Sequence, residues 1–148
     1  FKSGSVPFHL KTKEFYREIR DILSPEGVVA SNLYGKTNLL KPGDRTTFAS
    51  VFSGLYFFED PEQVATVLIA TDQEHSFSDM DLKASARNFA EGMPFSMPEM
   101  ANMYKPDFLA DITGKVFSDD FSKRDFSQAV DDNNTHRGKS LYPIKSHA

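Results

Sequence analysis

Apolar positions keep a helical period up to residue 23 and fall into short runs beyond it. Phe15, Ile19, Ile22 and Leu23 lie at i, i+4, i+7 and i+8, one face of an α-helix. Glu14, Arg17, Glu18, Arg20 and Asp21 fill much of the opposite side. Thr12 precedes the stretch as a good N-cap, and Glu14 puts negative charge in the first turn. Ser24-Pro25-Glu26-Gly27 ends the helix. Val28–Tyr34 is short, β-branched at its start and closed by Gly35, which predicts a buried strand. Residues 1–11 read as a loop, because Gly4 and Pro7 interrupt regular structure and Pro7 biases Val6 toward an extended shape.

Lys41-Pro42-Gly43-Asp44 has the composition of a turn. Arg45–Phe52 follows as a short helix with Phe48, Val51 and Phe52 on one face. Leu55–Phe58 and Val64–Ala70 read as strands around the polar break Glu59-Asp60-Pro61-Glu62, which suggests an antiparallel pair. The character changes after Thr71. Asp81–Glu91 reads as a helix carrying Leu82, Ala86, Phe89 and Ala90. Pro94, Pro98 and Pro106 then leave room for no more than a short helix over Pro98–Tyr104. Leu109–Phe121 is ambiguous, and the polar tail from Asp131 to Ala148 is expected to lie extended on the surface or on a partner. The reading is an α/β unit over residues 1–72, ending in a β-hairpin, and an irregular, mostly helical extension over 73–148.

Composition narrows the function classes. The chain has 148 residues, 39% of them hydrophobic and 26% charged, a balance that suits one soluble globular domain. The net charge of -4 argues against nucleic acid as a partner, since that needs a basic surface. With no cysteine there is no disulfide scaffold, thiolate nucleophile or thiolate metal site. No apolar run reaches the roughly 20 residues that span a bilayer. Phe1-Lys2-Ser3-Gly4-Ser5 does not open a secretory signal, so a cytoplasmic location is favoured, although a membrane-anchored parent fits as well. Metal binding is not expected. Asp119 and Asp120 are adjacent and point different ways on regular structure, and His136 and His147 lack ligand spacing. Asp79, Asp81 and Glu91 do not follow an EF-hand pattern. No Gly-x-Ser-x-Gly elbow occurs. Met93, Met97, Met100 and Met103 repeat near helical spacing and suit a satellite core, or an adaptable binding surface.

The run Val6-Pro7-Phe8-His9-Leu10-Lys11-Thr12-Lys13-Glu14-Phe15-Tyr16 resembles a loop-to-helix segment of spermidine synthase-like proteins. Leu23-Ser24-Pro25-Glu26-Gly27-Val28-Val29-Ala30 fits the turn and strand that follow in that family. The next helix and terminal hairpin match Arg45–Phe52, Leu55–Phe58 and Val64–Ala70. Phe117-Ser118-Asp119-Asp120-Phe121 is similar to a further short string in some relatives. The resemblance covers residues 1 to about 72.

It implies a Rossmann-like sheet of the methyltransferase type. This chain would supply the fifth, sixth and seventh strands, with the seventh between the other two. The fifth strand would show an open edge where the fourth belongs, and such an edge invites a covering chain. The upstream half of the same domain or a second copy in a homodimer would supply the cover. The resemblance further implies aminopropyl or methyl transfer to a small-molecule amine, with decarboxylated S-adenosylmethionine or S-adenosylmethionine as donor in the full-length parent. No cofactor is expected for this chain alone. The Gly-rich turn and second-strand acid that hold the donor, and the catalytic aspartate, would all lie upstream, so no catalytic residue is assigned here. The non-catalytic alternative is a dimerisation or partner-binding module derived from the same fold.

Three residues are expected at the substrate. His9 would overhang the cleft, and Asn32 and Tyr34 would sit at a strand's carboxyl end. Tyr34 stands where the family carries a glutamate that holds a substrate amine. A neutral phenol cannot pair with an ammonium as a carboxylate can, so the match to the family's acceptor pocket breaks off there.

Overall fold

The computed structural model describes residues 6–36, 38–73 and 76–120, together with 128, 131 and 132. The Asp131–Ala148 tail, with His136 and His147, otherwise lies outside the described residues. A 3-10 turn at Phe8–Leu10 leads into α1 (Lys13–Ile22), β1 (Val28–Tyr34), α2 (Lys41–Ala49), β2 (Gly54–Glu59) and β3 (Ala65–Thr71). Then come α3 (Asp79–Asn88), α4 (Met97–Ala101) and a second 3-10 turn, Phe108–Asp111. The sheet order is β1-β3-β2. β3 is antiparallel to both neighbours, in register from Val28 opposite Thr71 on one side and Gly54 opposite Thr71 on the other. The terminal strand thus lies between two strands that share one direction. This is the arrangement that the family resemblance implied.

α1 forms for the reasons read from its sequence. Thr12 is extended, fully buried and accepts the Phe15 N–H on its side-chain oxygen. The buried face, however, centres on Tyr16, flanked by Phe15 and Ile19, while Ile22 is 84% exposed. Tyr16 meets Phe48 edge-on at 5.3 Å between ring centroids, and Phe48 meets Phe52 at 4.9 Å. With Leu33, Val51, Phe57, Leu68 and Ala70 they form the core between the helices and one sheet face. Such aromatic pairs add about 0.5–1.5 kcal/mol beyond area burial.

Two further expectations need correction. The tetrapeptide Lys41-Pro42-Gly43-Asp44 is the first turn of α2, not a separate turn. Pro42 suits that place, since its missing N–H would have no intrahelical acceptor there. The second correction concerns β1, which was expected to be buried. Leu33 is buried and Val29 half-buried, but the alternate residues Val28, Ala30, Asn32 and Tyr34 are exposed. β1 is one of the two edge strands, and one of its faces is largely exposed.

The chain after β3 wraps both faces of the hairpin. Tyr104 packs on Tyr56 and Phe58, and the Tyr56 hydroxyl accepts the Phe77 N–H at 2.9 Å. The Lys105 N–H donates to the Phe57 carbonyl and the Glu59 N–H to that of Met103. On the core side Phe108 stacks on Phe57 at 4.6 Å. Beyond it the chain docks on α2 through two threonines. The hydroxyl of Thr46 donates to the Pro42 carbonyl and accepts the Gly114 N–H at 2.9 Å. Thr47 donates to Gly43 and accepts the Phe117 N–H at 2.8 Å. Phe117 is buried over Gly43, where an added Cβ would stand 2.3 Å from its ring. Gly114 is as tightly placed, since its Cβ would lie 2.1 Å from the Pro42 carbonyl carbon. Met97 and Met103 are half-buried, whereas Met93 and Met100 are exposed.

Candidate functional site

Both β1 and β2 run antiparallel to β3, so their carboxyl ends reach the same edge of the sheet. In open α/β sheets ligands bind beyond that edge. A pocket of about 250 Å³ opens there. Lys36 and Asn38 enter from the loop after β1, Lys41 and Arg45 from the start of α2. Glu59 closes β2, Gln63 precedes β3, and Lys105 arrives from the returning chain.

Glu59 organises one wall. Its Oε2 accepts from Arg45 Nη2 and, at 2.9 Å, from the Thr66 hydroxyl, while Oε1 faces Lys105 Nζ at 3.4 Å. Lys41 forms the floor. It is buried, and its Nζ donates to the Gln63 carbonyl at 3.0 Å and the Val64 carbonyl at 3.4 Å. Burial pushes its pKa down, the neighbouring Arg45 charge pushes it further, and Glu59 and Asp60 oppose.

A second polar group lies deeper. Asp44 is fully buried on α2, with Lys11 Nζ 2.8 Å from its Oδ2. Its Oδ1 has no hydrogen-bond partner among the described residues. Burial raises the Asp44 pKa, against the opposing Lys11 charge. The Tyr16 hydroxyl is raised too, chiefly by burial, with its 3.5 Å bond to Ser31 opposing and Asp44 adding.

His9, Asn32 and Tyr34 stand apart from the pocket lining. His9 is exposed on the first 3-10 turn, and Asn32 and Tyr34 share the exposed face of β1. Tyr34 adjoins the pocket through its backbone, where its carbonyl accepts the Asn38 side-chain N–H at 2.9 Å. Lys41, Arg45, Glu59 and Lys105 were not singled out from the sequence. Lys41 and Arg45, one helical turn apart in a charged segment, carried the available signal; Glu59 and Lys105 gave none. Among the described residues no cluster of His, Asp or Glu could hold a metal ion.

A polyamine aminopropyltransferase of Vibrio vulnificus (strain CMCP6) is 35% identical over 63 residues, 43% of this chain and 21% of that protein. A crystal structure of a probable spermidine synthase from Corynebacterium glutamicum ATCC 13032 superposes with a TM-score of 0.59. The chain is spermidine synthase-like. That superposition has 20% sequence identity and covers 81% of this chain and 45% of that one. The matched stretch is thus about a fifth of the curated relative, and the chain spans under half of the solved one. No family model matches. No helix of the described residues is long and apolar enough to cross a membrane.

The described residues of this spermidine synthase-like chain do not fit an adenosyl donor. Their strand-to-helix connections run from β1 to α2 and from β3 to α3. Neither carries a Gly-rich turn of the kind that cradles such a group. The first opens instead on the cationic pocket.

Proposed function

We propose that these residues form the carboxyl-terminal part of a spermidine synthase-like transferase. That protein moves an aminopropyl or methyl group from decarboxylated S-adenosylmethionine or S-adenosylmethionine to an amine. The donor site and the catalytic base belong to the other half of the domain, so this chain alone is inactive. His9, Asn32 and Tyr34 lie toward the substrate once that half is in place.

The observation that carries this reading is β1. Its outer edge pairs with no strand among the described residues, and Val28 and Ala30 are exposed on the face beside it. A sheet normally covers such surface. The same strand supports the second reading, a non-catalytic module that recruits a second copy or another chain by strand addition.

Transfer assays separate the two. Donor and a panel of amines are incubated with the 148-residue chain, and with a longer protein that adds a Gly-rich strand-turn-helix and an aspartate upstream. The transferase reading expects product from the longer protein only. Product from the short chain, or none from either, refutes it.

A further inference from the structure

The carboxyl-edge pocket has a charge balance that a polyamine site would not have. Four cationic side chains, Lys36, Lys41, Arg45 and Lys105, line it against one carboxylate, Glu59. Glu59 is already engaged by Arg45, Lys105 and the Thr66 hydroxyl. Asp60 lies near enough to influence Lys41, and its Oδ1 accepts the Ala65 N–H. The positive charge therefore exceeds the negative even with Asp60 included. α2 adds to the imbalance, since its first turn carries Lys41 and directs the positive end of its dipole to the pocket.

We propose that this pocket binds a small oxyanion, a ligand with a carboxylate or phosphate group held by Arg45, Lys105 and Lys36. The donors suit that chemistry. Both side-chain bonds of Arg45 leave from Nη2, so Nε and Nη1 remain among the described residues for the forked contact that carboxylates and phosphates favour. Lys36 is exposed at the rim. A volume of about 250 Å³ admits a small metabolite and no macromolecule. A diamine is repelled by four cations. The assignment rests on the pocket alone and stands whether or not the transferase reading does.

The test is titration of the full chain with inorganic phosphate, glutarate and putrescine at constant ionic strength, followed by calorimetry. Saturable binding of phosphate or glutarate at or below about 1 mM is expected, and which of the two binds identifies the head group. Lys105→Gln should weaken it about tenfold and the exposed Lys36→Gln about threefold, with the melting temperature of the Lys36 variant unchanged. The proposal is overturned if neither anion saturates, if both variants bind like the parent, or if putrescine displaces the anion.

Discussion

Phe117 and Gly43 lie far apart in sequence, yet the Phe117 ring fills the space where a Gly43 side chain would stand, and a double-mutant cycle measures their coupling. Phe117 is 4% exposed, so Phe117→Ala removes a buried ring and should cost about 3–5 kcal/mol. Gly43→Ala has two opposed effects. A helical alanine gains up to about 1 kcal/mol over glycine. Its Cβ, however, would stand 2.3 Å from Phe117 Cζ and 2.6 Å from Cε1, and the ring must move. Overpacking of that kind costs about 1–3 kcal/mol, so the single variant is a net loss. Without the ring the two closest contacts vanish, the next being the Lys115 carbonyl at 3.1 Å, and much of the propensity gain should return. Gly43→Ala should therefore destabilise the parent and leave Phe117→Ala unchanged or more stable, a coupling of about 2 kcal/mol. Urea unfolding of the four proteins measures it. Costs that add within about 0.5 kcal/mol would refute the docking of residues 114–117 on α2.

Three further outcomes follow from the same structure. Arg45→Met strips Glu59, 8% exposed, of its closest cation, and should cost about 3 kcal/mol because Lys105 and Thr66 stay in place; denaturant midpoints check it. Asp44 holds its proton more tightly folded than unfolded, so it adds stability as pH falls through its folded value, fully so below the unfolded value near 3.9. Asp44→Asn should abolish that gain in melting temperature as the pH is lowered toward about 4. Val28→Lys, at a site 60% exposed, should leave the stability of this chain within about 0.5 kcal/mol of the parent in thermal melts.

The sequence was most informative where local rules decide structure. Thr12 and the apolar spacing behind it located α1, and the polar break at Glu59–Glu62 located the hairpin. The seventh-strand position of β3 came from the family resemblance and matches the observed order. Local rules misread α2, because Pro42 and Gly43 have turn composition. Gly43 is glycine to admit the Phe117 ring, a contact across 74 positions that no local pattern reveals. β1 misled for a related reason. Its apolar residues suit a strand covered on both faces, and among the described residues one of those faces is exposed. The pocket was invisible because Lys36, Arg45, Glu59 and Lys105 come from four segments that meet only after the sheet and the returning chain have packed.

The central claim is that the sheet continues past β1. Hydrogen exchange of the β1 amides that do not bond to β3 tests it most directly, in the 148-residue chain and in a longer protein that carries the upstream half. The account predicts rapid exchange in the short chain and strong protection in the longer one. Equally rapid exchange in both would mean that nothing pairs with this edge, and would contradict it.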